Sequence, residues 1–336
     1  MEELNDILMQ MNNKTVFVTG ATGLVGRNVI KIIEEYNRKL NKNIKILAGV
    51  RDEVKAKSIF GDNKDIILYV GDITKKIETN EKIDYIIHTA CPTSSKYFIE
   101  KPVETIETIV QGTKNVLELA VEKRPASVVY VSSMEIYGSD FDEQISVKET
   151  EYGKINTLDV RSSYSEGKRL AETLCIAYQK EYGVSVKIAR LTLCFGYGVG
   201  KSDNRVFAQF ARSILNNKDI VLHTSGESTR NVCDISDATS ALFYILIRGN
   251  DGEAYNIANN KINISIKDMA KFVAKEFGNS DIQVKVNLDE KNSLGYNQIQ
   301  KINLNTDKIS ALGWKPLYGL REMYLHMLDF MKEDNE

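Results

Sequence analysis

Cysteine, histidine, proline and tryptophan are all scarce in this chain, at four, three, four and one in 336 residues. Cys91, Cys175, Cys194 and Cys233 are scattered, and no two of them make a Cys-x-x-Cys pair. With only His88, His223 and His326 beside them, neither a metal site nor a disulfide scaffold is expected, and reduced thiols in the cytosol are the simplest account. The longest apolar run, ALFYILI at Ala241–Ile247, is far too short to span a bilayer. MEELNDILMQMNNK carries acids and no long apolar stretch, so it does not read as a secretory signal. An excess of one charge is also missing. Lys and Arg number 44 against 46 Asp and Glu, a net of −2, which leaves no polycationic surface suited to a nucleic-acid backbone. No Pro-rich linker, low-complexity tract or internal repeat divides the chain.

What is present is an ordinary globular balance, 43% hydrophobic and 27% charged. TVFVTG, NIKILAGV, DIILYVGDI, YIIHTA, SVVYVSS and VSVKIARLT read as strands. Most are apolar without polar alternation, as when both faces of a sheet are covered. Helical spacing fills the intervals, in ATGLVGRNVIKIIEEYNRKL, EVKAKSIF, VETIETIVQGTKNVLELAVEK and the segment from Tyr164. Strand and helix in alternation predict an α/β fold, a Rossmann-type doubly wound parallel sheet. Beyond about Leu193 the pattern loosens. Helices are expected at Val206–Leu215, Ile266–Phe277 and Leu320–Met331, and strands at IVLH and AYNIAN, while Asp281–Ile302 is polar and unassigned. The expected division is a dinucleotide-binding domain carrying the chemistry over 1–192. A smaller, mainly substrate-binding lobe over 193–336 follows, with part of the chain returning to the sheet.

Between the first strand and first helix stands Gly20-Ala21-Thr22-Gly23-Leu24-Val25-Gly26. Glycines in this place allow a tight turn, close approach of a pyrophosphate and close helix–strand packing, and free N–H groups at the helix start meet the phosphates. A nicotinamide dinucleotide is the expected cofactor. The second strand ends without the acid that would hold an NAD ribose; Arg51 follows, then Asp52 and Glu53. Arg51 opens NADP and Asp52 keeps NAD. Asp72 and Ile73 end the next strand, where an Asp can bond the adenine amino group or serve only as a turn acid.

SSYSEGKRLAET sets Tyr164 and Lys168 one helical turn apart. The same spacing occurs at Tyr97/Lys101 and Tyr197/Lys201, so spacing alone decides nothing. Context does. TGATGLVG, VVYVSSMEIYG and YSEGK, in this order, resemble the extended short-chain dehydrogenase/reductases. Within them the chain is similar to the nucleotide-sugar epimerase/dehydratase/decarboxylase group, over nearly its whole length. HTACPTSSKYFIEKPVETIETIVQGT, YSEGKRLAE, NRVFAQFARSIL and TRNVCDISDA resemble segments of UDP-glucuronate decarboxylases.

The resemblance implies that Tyr164 is the catalytic acid/base, Lys168 its partner and Ser133 the third member, with Ser132 as the neighbouring fallback. A free tyrosine titrates near 10. A nearby ammonium and a positive nicotinamide ring are expected to lower that value. Glu135 is implied as a further acid, and Thr89 and Ala90 join the glycine turn, Arg51, Asp72, Ile73, Tyr164 and Lys168 in holding the cofactor. Ser94, Met134, Arg205 and Arg230 are implied on the substrate side, Arg230 at the diphosphate of a nucleoside-diphosphate sugar. The helices around Val103–Val121 and Tyr164–Tyr182 are implied as a four-helix homodimer interface.

Three positions depart from the group's pattern. Met134 replaces the usual Asp or Ser and has no proton to give. Ile109 and Leu193 stand where asparagines are common. The expected function is a nucleotide-sugar enzyme working through transient oxidation at sugar C4. An NADPH-dependent 4-keto-sugar reductase and a non-catalytic dinucleotide sensor are the alternatives.

Overall fold

The computed structural model describes residues 2–139, 141, 146–288 and 299–333. Five parallel strands come early: β1 (Thr15–Thr19), β2 (Lys45–Val50), β3 (Ile66–Val70), β4 (Tyr85–His88) and β5 (Ser127–Ser133). Val186–Leu191 adds beside β5, and Ala254–Ile257 adds beside Val186–Leu191 at the edge of the sheet. The order across the sheet is Ala254–Ile257, Val186–Leu191, β5, β4, β1, β2, β3. This is the doubly wound parallel architecture expected from the uninterrupted apolar strands. Strand order reverses between β1 and β4, and such a reversal opens a crevice at the carboxyl ends of the strands.

Helices cover both faces: α1 (Glu2–Met9), α2 (Leu24–Leu40), α3 (Glu53–Phe60), α4 (Ser95–Glu100), α5 (Pro102–Lys123) and α6 (Ser162–Tyr182). Alternation along β1 divides the core. Val16 and Val18 join one cluster with Val29 and Ile33 of α2, while Phe17 joins the other with Val116 of α5 and Ala171 of α6. Each such buried aliphatic side chain contributes about 2 kcal/mol. The run Ala241–Ile247 lies within a helix, Ile235–Arg248, and is buried almost all round beneath the sheet.

Ile109, at one of the departing positions, is buried and packs on Gly167 of α6, where a β-carbon would stand 3.2 Å from Ile109 Cδ1. Leu193 opens a three-residue strand, Leu193–Phe195, paired with Thr229–Asp234. A third core, with Phe195, Phe207, Phe210, Met269 and Tyr324, fills the C-terminal lobe. There the expected helices are found at Val206–Leu215, Ile266–Phe277 and Leu320–Glu333, and IVLH supplies the strand Ile220–Leu222. Of the unassigned stretch, Val284–Val286 is a strand, and residues 289–298 lie outside the described residues. Among the described residues no helix is long and apolar enough to cross a membrane.

Candidate active site

The glycine turn sits at the end of β1. Gly20 has φ +65°, and a β-carbon on it would stand 2.8 Å from Ala90 Cα. A β-carbon on Gly26 would stand 2.4 Å from the Gly20 carbonyl oxygen. Neither position tolerates a side chain: Gly20 is pressed against the segment that follows β4, and Gly26 against the turn's own backbone. Thr89 Oγ1 donates to the Thr19 carbonyl at 2.7 Å, and the Thr89 and Ala90 N–H groups reach Thr19 Oγ1 at 3.2 and 3.3 Å. Thr19 Oγ1 also meets His88 Nδ1 at 2.7 Å, and His88 Nε2 meets Thr113 Oγ1 at 3.2 Å. Burial holds His88 neutral, its pKa pushed down to about 3. No side chain caps α2 at Gly23, which leaves first-turn N–H groups at Leu24 and Val25 for a ligand. A close-walled turn with free donors at a helix start suits a dinucleotide pyrophosphate.

Asp72 accepts from the Thr74 N–H and hydroxyl, both at 2.9 Å, bonds that hold its carboxyl below the usual range. The Ile73 carbonyl is taken by Asn115 Nδ2 at 2.8 Å.

The second group of residues gathers where β5 ends against α6. The buried face of α6 runs Tyr164, Ser165, Gly167, Lys168, Ala171, Glu172, Cys175, a helical stripe turned to the sheet. Tyr164 is buried and stacks on Phe98 of α4, ring centroids 4.3 Å apart. Ser163 Oγ, bonded to the Phe98 carbonyl at 3.2 Å, ties α4 to α6. The Ser133 hydroxyl lies beside the Tyr164 phenol, whose pKa it draws down, and accepts the Glu135 N–H at 3.2 Å. Ser132 points elsewhere, donating to Glu172 Oε1 at 2.5 Å, which separates the two serines. Lys168 Nζ donates to the Val131 carbonyl at 2.7 Å and lies 5.9 Å from the Tyr164 ring centroid.

The expected lowering of the Tyr164 pKa is not what the chain's own groups produce. Burial pushes it up first, Cys91 and Glu135 push it further, and the Ser133 hydroxyl and Arg161 oppose them. The phenol is desolvated more than it is compensated, and Lys168 spends one donor on a backbone carbonyl.

Around this pair stand residues not singled out in the sequence. Arg161, buried, forms an ion pair with Glu135 at 2.9 Å and lies 4.7 Å from the Phe98 ring. It precedes Tyr164 by three residues, so helical spacing was its signal. Ser165 Oγ approaches Glu135 Oε2 at 3.4 Å. Cys91 has Lys168 as an electrostatic neighbour. Burial raises its thiol pKa, and the ammonium draws it back. Arg230 is partly buried, with Glu135 and Arg161 as its electrostatic neighbours; burial lowers its pKa and Glu135 raises it. Its Nε meets no acceptor among the described residues.

The structure thus brings Ser133, Tyr164, Lys168, Glu135 and Arg230 together. It does not bring the other substrate-side residues in the same way. Arg205 is held by Asp203, with Nε–Oδ1 at 3.1 Å. Ser94 is exposed and caps α4. Met134 is buried with Ile136, Tyr137 and Val147, its sulfur 3.3 Å from Thr192 Oγ1. Tyr97/Lys101 belong to α4 and its end, and the Tyr197 ring is covered by Lys31 Nζ at 3.1 Å from its centroid.

Residues 16–258 match the model of the NAD dependent epimerase/dehydratase family. UDP-glucuronic acid decarboxylase 5 of Arabidopsis thaliana is 31% identical over 325 residues, covering 96% of this chain and 89% of that protein. UDP-glucose 4-epimerase of Thermotoga maritima, solved with UDP-glucose, superposes with a TM-score of 0.82 at 18% identity, over 96% of this chain and all of that one, 100%. dTDP-glucose 4,6-dehydratase of Bacillus anthracis, solved with NAD, gives 0.78 at 20% identity, over 96% and 97%. Glycine turn, Ser133–Tyr164–Lys168 cluster and these likenesses agree, and the chain is an enzyme of the NAD-dependent epimerase/dehydratase family.

Proposed function

We propose that the substrate is a nucleoside-diphosphate sugar bearing a carboxylate on C5, oxidised transiently at C4 and decarboxylated. The observation that carries this reading is the joining of Glu135, Arg161 and Arg230 to the Ser133–Tyr164–Lys168 cluster. Two guanidiniums against one carboxylate leave a positive excess beside the reacting alcohol, and a planar fork suits a carboxylate. The similarity to UDP-glucuronic acid decarboxylases points the same way.

The reading also gives Met134 a place. Loss of water needs an acid for the departing hydroxyl, and a buried thioether cannot supply one. Loss of carbon dioxide from a 3-keto acid needs no such acid; the C–C bonding pair passes into the enolate, and C5 is protonated afterwards. The residues that would hold the dinucleotide are Gly20, Gly23, Gly26, Thr89 and Ala90. When bound, its oxidised ring supplies a reversible hydride acceptor and a positive charge.

Tyr164 takes the proton of the 4-hydroxyl, with Ser133 sharing that oxygen. Because burial holds the phenol protonated, the deprotonated form depends on cations gathered around it, Arg161 among them. Lys168, fixed by the Val131 carbonyl, orients the ribose side of the same pocket.

α5 and α6 pack together on the sheet and leave Val103, Ile106, Leu170 and Ile176 exposed, which supports pairing of two copies through these helices. Mass spectrometry after incubation with UDP-glucuronate and neutral UDP-, GDP-, CDP- and dTDP-sugars tests the reaction. Loss of carbon dioxide from the uronate supports it. Loss of water from a neutral sugar, or gain of two hydrogens by a keto sugar, would replace it with dehydration or reduction.

A further inference from the structure

The adenosine end of the crevice differs in charge from the end described above. β2 closes at Val50 in register with β1, Thr19 beside Gly49, and the Ala21 N–H bonds the Gly49 carbonyl at 3.1 Å. The glycine turn and the end of β2 therefore lie side by side, where a dinucleotide's adenosine ribose rests in this fold. An NAD ribose asks for a free carboxylate here.

Each candidate acid is already engaged. Asp52 Oδ1 accepts the Lys55 N–H at 2.9 Å and caps α3. Glu53 pairs with Lys57 at 2.7 Å, one turn along the same helix. Asp72 is folded onto Thr74.

Of the cations, Arg51 is not engaged in that way and Arg27 only in part. Arg51, the first residue beyond β2, is exposed and makes no hydrogen bond or ion pair among the described residues, with Asp72 as an electrostatic neighbour. Arg27 reaches back from α2 to the Thr22 carbonyl at 3.4 Å, and its Nε is buried without an acceptor among the described residues.

We propose that this end of the site recognises a 2′-phosphate, with Arg51 as the selecting residue and Arg27 as a second contact, so that the chain takes NADP(H) in preference to NAD(H). A phosphate monoester offers the several acceptor oxygens that two guanidiniums can share, and a ribose diol offers Arg51 no charge. The inference rests on the dinucleotide site of the proposed function but not on the sugar chemistry.

Titration calorimetry at fixed moderate salt, with adenosine 2′,5′-bisphosphate and with ADP, tests it without turnover. The bisphosphate is expected to bind at least about tenfold more tightly, the scale of one charge-assisted contact. Arg51→Ala brings the two ligands level by weakening the bisphosphate alone, and Arg27→Gln weakens it by a smaller factor. Arg51 is exposed, so its replacement leaves the fold intact, and the parent chain's ratio of the two affinities is a second measure that needs no variant. Equal affinities in the parent chain, tighter ADP, or equal weakening of both ligands by Arg51→Ala would overturn the proposal, as would binding of neither. A chain that turns over no nucleotide sugar yet keeps the 2′-phosphate preference would refute the proposed reaction and uphold this inference.

Discussion

At the β5 side of the crevice, Lys168 is bonded to the strand, Glu135 to Ser133 and Arg161, and Tyr164 is buried against Phe98. At the β2 side, Arg51, Asp52 and Asp72 are exposed, and among the described residues the two acids bond only to their own turns. The first arrangement suits proton transfer, where donors must be fixed before reaction and water kept out. The second suits recognition of a charged group, where reach counts for more than fixed orientation. A buried polar group in this molecule is therefore costly to disturb, and an exposed one is cheap to disturb but selective.

The largest way to break this contrast is Tyr164→Phe. Turnover should fall by about 10²–10⁴-fold, the range of a lost general acid–base group, while calorimetric affinity for the dinucleotide stays within about twofold. Turnover close to the parent's would remove the β5 side from the chemistry.

Next comes the support behind it. Arg190 Nη2 meets Glu172 Oε2 at 2.7 Å, Arg190 Nη1 meets Tyr137 OH at 2.9 Å, and Tyr137 OH meets Asn256 Oδ1 at 2.5 Å, all buried. Glu172→Gln leaves Arg190 buried without its counter-charge and should cost about 3 kcal/mol in urea unfolding. A loss within experimental scatter would mean the network adds nothing to the rigidity of the β5 end.

A third test uses pH. Burial raises the Asp237 pKa to about 6, while its Oδ2 accepts the Leu317 and Tyr318 N–H groups, each at 2.9 Å. A carboxyl raised above its unfolded value binds its proton more tightly when folded. Its contribution is thus complete below pH ~4 and is lost as pH rises through ~6. Asp237→Asn removes that loss, so its advantage over the parent should grow between pH 4 and 6, by on the order of 2–3 kcal/mol. His88, pushed down to about 3, works in the opposite sense, losing stability as pH falls below ~6.5. The two slopes oppose each other in the parent, and the variant should expose the histidine's. A constant difference between variant and parent across this window would sink the assignment.

The smallest effect belongs to the exposed side. Glu53→Ala breaks an exposed helical ion pair with Lys57 and should leave the unfolding midpoint unchanged within error. A clear shift there would blur the distinction between the two ends.

Much of this was legible in the residues. Unbroken apolar strands gave the covered parallel sheet; the glycine triplet lies at the turn from β1 to α2, and Tyr164 and Lys168 lie on the buried face of α6. Other features depend on contacts between distant segments. Leu193–Phe195 and Asn303–Leu304 are too short to show a period. Ile235–Arg248 is buried on nearly every side, Asp237 and Thr239 included, so its burial does not follow an apolar stripe. Spacing alone could not tell that Met134 turns into the core, that Arg161 pairs with Glu135, or that Phe98 lies beneath Tyr164. The sign of the Tyr164 pKa shift followed from desolvation, which a linear sequence does not display.

The bond from Lys168 to the Val131 carbonyl has a mechanical consequence. It clamps the helix bearing Tyr164 to the strand bearing Ser133, so the two hydroxyls keep their separation whatever else shifts when a ligand enters. Arg230, carried by the separate strand Thr229–Asp234, stands outside that clamp.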